Sequence, residues 1–125
     1  VEALENSVVE RYEGGKAALQ KYDDLALILS DIMQAENLEQ SNNMAQKILL
    51  NMTVGTKAVN LGVKQANFYV LRGAYMPAVL IEMGFISNAQ EEAYLINDQY
   101  RERLARTIFE GIKSFKYRYD RIRST

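Results

Sequence analysis

The chain contains no histidine and no cysteine in 125 residues. It therefore offers no imidazole and no thiolate to a metal ion. The lack of cysteine excludes disulfides, while leaving reducing and oxidising compartments equally open. No run approaches the roughly 18 uncharged apolar residues that a membrane-crossing helix needs. The opening Val1-Glu2-Ala3-Leu4-Glu5 is acidic where a secretory signal is basic, so no signal peptide is expected. There is no initiator methionine, and Val1 reads as an internal residue exposed by processing. A basic excess is also missing: 15 Lys and Arg face 16 Asp and Glu, for a net charge of −1. That disfavours a dedicated nucleic-acid binder. What remains is 48% hydrophobic and 25% charged, ordinary for one globular domain or part of one.

Residues 1–12 read as the end of a helix, with Ala3, Leu4 and Val8 at helical spacing and Gly14-Gly15 as its stop. Residues 13–21 are polar and read as a connection. Asp23 or Asp24 then offers an N-cap. Leu25, Ile28, Leu29 and Ile32 follow at i, i+3, i+4 and i+7, an amphipathic helix. Leu38, Ala45, Ile48, Leu49 and Met52 continue the stripe beyond the polar Glu36-Asn37. The segment is either one long helix or two meeting near Asn37. The stripe reads as core, or as a face for a partner.

Ala66–Arg72 is rich in aromatic and β-branched residues and predicts a strand. A loop over 73–77 ends in the only proline, Pro77. Ala78–Glu82 is a short apolar run, as in a strand covered on both faces. Asn88 and Glu91 form an Asn-x-x-Glu capping box for a helix over 89–96. A last helix starts near Asn97 or Asp98, with the stripe Leu104, Ala105, Ile108, Phe109, Ile112 and Phe115. Lys113–Thr125 holds five bases against one acid. Two strands with this much helix predict an α/β fold: part of a single mixed sheet flanked by helices, its other strands contributed by another chain or, as the favoured reading, lying upstream of Val1.

Three features carry chemistry. Glu82 ends the apolar strand and so borders a dry region, where desolvation would raise its pKa and suit it to general acid–base work. The bland reading pairs it with a Lys or Arg. Arg72 ends the neighbouring strand, either as a clamp for a substrate carboxylate or as that ion-pair partner. Gly84-Phe85-Ile86-Ser87-Asn88 is a turn that allows close backbone approach to a ligand, or simply a capped link between strand and helix.

Gly62-Val63-Lys64-Gln65-Ala66-Asn67-Phe68-Tyr69-Val70-Leu71-Arg72, followed by Met76-Pro77-Ala78-Val79-Leu80-Ile81-Glu82-Met83-Gly84-Phe85-Ile86-Ser87-Asn88, resembles the C-terminal half of the zinc-dependent N-acetylmuramoyl-L-alanine amidases, the cell-wall amidases with a type-3 catalytic domain. The likeness runs on through Glu91-Glu92, Leu95 and Ile108-Phe109-Glu110-Gly111-Ile112. Glu5-Asn6-Ser7 with Leu38-Glu39-Gln40-Ser41 is similar to members with an inserted helical segment. The resemblance covers most of residues 1–116 and leaves 117–125 as a basic tail.

The resemblance implies cleavage of the amide between N-acetylmuramic acid and L-alanine in peptidoglycan. It implies one zinc held by two His and one Glu, and a catalytic Glu in the pattern Val-Glu-x-Gly-Phe-x-Ser-Asn. Here that pattern carries Ile81 in place of the Val, and its Glu is Glu82. In such enzymes the zinc activates a water and the Glu takes its proton. This chain departs from the pattern in having no His, so the resemblance implies a C-terminal portion, inactive by itself, with zinc ligands supplied from upstream or by a separate N-terminal piece. In division-machinery members a segment like 8–36 covers the zinc until a protein activator docks. By that likeness Glu10 or Glu13 would be an inhibitory ligand; the alternative is that 8–36 is a plain surface insertion. The implied location is periplasmic or extracellular. The competing reading is a non-catalytic helical module that binds a regulatory partner.

Overall fold

The computed structural model describes residues 1–12 and 24–125. Five α-helices lie among them: α1 (Glu2–Tyr12), α2 (Asp24–Glu36), α3 (Leu38–Gly55), α4 (Ala89–Leu95) and α5 (Asp98–Arg123), with a single 3-10 turn at Tyr69–Leu71. The expected connection over 13–21, the Asp23 cap and Glu13 lie outside the described residues. The stripe over 25–52 resolves into two helices with Asn37 between them. Asn37 donates both its backbone N–H and its side-chain Nδ2 to the Met33 carbonyl, at 3.2 and 2.9 Å. The backbone bond is the ordinary i→i−4 bond of a helix; the side-chain bond to the same carbonyl is the one that competes with continuation of the helix. None of the helices formed by the described residues is long and apolar enough to cross a membrane.

The mixed α/β sheet expected from Ala66–Arg72 and Ala78–Glu82 is absent: the described residues form no strand. A strand exists only as one member of a ladder. The first segment finds other partners for its backbone. The second makes no backbone–backbone hydrogen bond over Val79–Gly84 among the described residues.

The chain divides into two compact units, Val1–Ser41 with Lys64–Val79, and Asn42–Val63 with Leu80–Thr125. In the first, helix side chains do the work of a ladder. Asn6 on α1 is buried; its Nδ2 donates to the Asn67 carbonyl at 3.0 Å and its Oδ1 accepts from the Tyr69 N–H at 2.8 Å. The buried Ser30 Oγ on α2 accepts from the Gly73 N–H at 3.1 Å, and Gln34 donates to the Leu71 carbonyl. Ser41 Oγ accepts from the Ala78 N–H at 2.9 Å. Irregular backbone that leaves solvent needs such partners, because each unsatisfied group costs about 1–3 kcal/mol.

The second unit packs α3 against α5. Ile48 and Met52 on α3 and Tyr100, Leu104 and Phe115 on α5 are its buried apolar residues. Leu104 is 1% exposed and Ile48 2%. A Cβ added at Gly111 would lie 2.6 Å from Ile48 Cα, so the two backbones cross there at close range. The stripe read from the sequence thus splits. Its Ile48 and Met52 are core, whereas Leu25, Ile28, Leu29 and Ile32 on α2 are each at least 52% exposed.

Candidate functional site

The segment Leu80–Asn88 leads into α4 and carries Glu82. Val79, Leu80 and Ile81 are half-buried, and the chain emerges at Glu82, after which every residue through Gln90 is exposed. Gly84 follows at φ +137°, a backbone angle that side chains disfavour. A Cβ there would also stand 3.0 Å from Glu91 Oε2. The turn is closed by Asn88, whose N–H donates to the Phe85 carbonyl at 3.0 Å.

Asn88 caps α4 as its position predicts. Its Oδ1 accepts from the N–H groups of Gln90 and Glu91, both at 3.0 Å. The Glu half of the capping box behaves differently. Glu91 accepts from the Phe85 N–H rather than from that of Asn88. One acidic side chain therefore ties the first turn of α4 to the residue just past Gly84. This brace was missed from the sequence, although the spacing of Glu91 had marked the residue as part of a cap.

Glu82 is exposed, not set in the dry strand-end environment expected of it, because no sheet surrounds it. Among the described residues it has neither a hydrogen-bond nor an ion-pair partner; the ion pairs there are Asp98–Arg101, Glu102–Arg106 and Lys116–Asp120, all on α5. The bland reading of Glu82 as half of a structural ion pair thus has no partner in view. Chemically it is a free carboxylate, held two residues before a braced turn and flanked by exposed Met83 and Phe85.

Arg72 belongs to the other compact unit. With no sheet, the expected shared sheet edge for Arg72 and Glu82 does not exist. Arg72 follows the 3-10 turn, and its guanidinium carbon lies 4.4 Å from the centre of the Tyr69 ring. Its Nε is buried and has no hydrogen-bond partner among the described residues. Glu10 is exposed on α1. No group of three His, Cys, Asp or Glu able to hold a metal occurs among the described residues. The Asn6 clamp was also missed; the sequence reading singled out Glu5-Asn6-Ser7 without giving Asn6 a task.

Comparison with known proteins adds what geometry alone leaves open. The chain is 32% identical over 106 residues to N-acetylmuramoyl-L-alanine amidase AmiA of Escherichia coli K12, covering 85% of this chain and 37% of that protein. The AmiA of Salmonella typhimurium is 31% identical over the same shares. The probable cell wall amidase LytH of Staphylococcus epidermidis ATCC 12228 is 39% identical over 80 residues, 62% of this chain and 26% of that protein. The chain thus spans well under half the length of these relatives. No solved structure matches it. The sequence profile of the family described as N-acetylmuramoyl-L-alanine amidase matches residues 6–114, from Asn6 through Glu82 and past the buried Gly111 of α5, and the chain belongs to that family.

Proposed function

We propose that this chain is part of a peptidoglycan hydrolase that cleaves the amide between N-acetylmuramic acid and L-alanine. Family membership supports the bond class. The observation that carries the role of Glu82 is its exposed carboxylate beside the Gly84 turn, without a partner among the described residues. Amide hydrolysis forms a C–O bond to water, breaks the C–N bond, and moves one proton from that water to the departing amine. Glu82 takes the proton as general base and returns it to the L-alanine nitrogen as general acid. Arg72 binds a substrate carboxylate, which would satisfy its buried Nε.

The zinc that the family resemblance implies does not fit the residues present. There is no His or Cys, and no acidic trio is grouped for a metal among the described residues. We assign the zinc ligands to sequence outside these 125 residues, on the same polypeptide or on a companion piece, and the isolated chain is then inactive. Periplasmic or extracellular work follows from the substrate.

The test is digestion of purified peptidoglycan by the complete gene product, with the fragments weighed by mass spectrometry. Stem peptides that begin with a free L-alanine amine, alongside intact glycan strands, are expected. New reducing-end sugars, or no fragments, would refute the reading.

A second reading is favoured by the exposed apolar face of α2: residues 8–36 serve as a regulatory segment, with Glu10 or Glu13 as inhibitory ligand and a protein activator as partner. Without a catalytic half, the chain would be a helical partner-binding module only. Removing 8–36 outright would also remove Ser30 and Gln34, which hold the backbone at Gly73 and Leu71. Deleting only 13–21 from the complete gene product avoids this. Wall hydrolysis should then rise several-fold, and an unchanged rate would dismiss autoinhibition.

A further inference from the structure

The family match ends at residue 114, yet α5 continues without a break to Arg123. Its last turns have a different character from the rest of the chain. Lys113–Arg123 contains five bases and one acid, a net +4, which leaves −5 on the remainder of a chain whose total is −1. The single acid, Asp120, is taken up by Lys116. Lys113, Arg118, Arg121 and Arg123 have no anionic partner among the described residues.

These cations are also arranged. Lys113 stands over the Phe109 ring at 6.0 Å, Arg121 over Tyr117 at 5.7 Å and Arg123 over Tyr119 at 5.4 Å, each one turn after its ring. Ring contact holds a flexible base in place without cancelling its charge. Ile122 continues the stripe of Leu104, Gly111 and Phe115, yet it is 56% exposed where they are buried, so nothing covers the final turn among the described residues. At a rise of about 1.5 Å per residue, Lys113–Arg123 makes a cationic rod of about 15 Å.

We infer that the C-terminal end of α5 binds a linear polyanion carrying phosphodiester groups, a charged polymer of the cell envelope. Three of the four unpaired cations are arginines, whose fork matches phosphate oxygens two at a time. A lipid surface fits less well. An interfacial helix needs several free apolar and aromatic side chains on one face, and over Lys113–Arg123 Tyr117 and Tyr119 each have a cation over the ring, which leaves Ile122 as the exposed aliphatic side chain. Choosing a wall polymer over nucleic acid rests on the wall-hydrolase reading above.

The experiment titrates the chain with synthetic poly(glycerol phosphate), and in parallel with vesicles rich in phosphatidylglycerol, at 50 and 200 mM salt. Four released counterions predict that polymer affinity falls about 50-fold between those salts. Arg118→Gln, Arg121→Gln and Arg123→Gln together should weaken polymer binding at least tenfold at 50 mM and leave only about a threefold salt effect. The control, Arg103→Gln with Arg106→Gln earlier on the same helix, should bind like the parent. Circular dichroism checks that every variant keeps its helices. No polymer binding, undiminished binding by the triple variant, or binding to vesicles alone would overturn the inference. Binding is read without turnover, so a failure here and a failure of the hydrolase reading appear in different assays.

Discussion

Glu82→Gln is expected to lower kcat for wall hydrolysis by about 1000-fold while leaving KM within about threefold, since general acid–base catalysis contributes some 10²–10⁴. Gln has the same shape and keeps an acceptor oxygen, but it cannot take a proton from water at neutral pH. The position suits the experiment. Glu82 is exposed and has no hydrogen bond or ion pair to lose among the described residues, so the substitution leaves folding alone. Thermal melting of the variant should match the parent. Glu82→Asp keeps the carboxylate but withdraws it by one methylene, roughly 1 Å, which predicts an intermediate loss of about 100-fold. The assay is steady-state release of L-alanine amines from purified wall by the complete gene product. A Gln variant within threefold of the parent would remove Glu82 from the chemistry.

The helices were legible because their apolar spacing reports a face, and a face is a local property. Leu104, Ile108 and Phe115 mark α5, and Asn88 marks the start of α4, within a few residues of the structure they determine. The strands were not legible in the same way. Phe68-Tyr69-Val70-Leu71 has the composition of a half-buried extended surface, but composition does not name the partner. The partners are Asn6, 61 and 63 positions away, and Gln34, 37 away. Polar side chains on helices fill the place of a neighbouring strand, and no periodicity announces that. The site divides likewise. Glu82 beside Gly84 stood out as chemistry-bearing, and the zero His count leaves no imidazole here for a metal ion. The dry environment assigned to Glu82 depended on a sheet around it, and it went when the sheet did.

Gly111→Ala should destabilise the chain, against the sign that helix propensity gives. In an exposed helix interior this change stabilises by roughly 1 kcal/mol, because alanine loses less freedom on folding. Gly111 is buried inside α5, and the new Cβ would stand 2.6 Å from Ile48 Cα, 2.9 Å from Ile48 N and 3.0 Å from Ile48 Cγ1. Carbon atoms in contact prefer about 3.5–4.0 Å. Two of the three obstacles are backbone, so no rotamer change clears them, and α3 and α5 have to part by about 1 Å. That opens the packing of Ile48, Met52 and Leu104, the most buried side chains of this unit. The same two helices also approach closely at a second point, where a Cβ on Gly55 would stand 2.5 Å from Thr107 Cγ2. Overpacking of this kind costs about 1–3 kcal/mol and sometimes more; with two backbone clashes the upper end of that range applies, and with the propensity gain of roughly 1 kcal/mol subtracted a net loss of about 1–2 kcal/mol is expected. Against a total stability of about 5–15 kcal/mol the shift is easily read as a lower urea midpoint by circular dichroism. Ser114→Ala, exposed on the same helix, serves as the control and should gain a few tenths of a kcal/mol. If Gly111→Ala is as stable as the parent, the two helices do not cross at Ile48, and the core assigned to this unit is wrong.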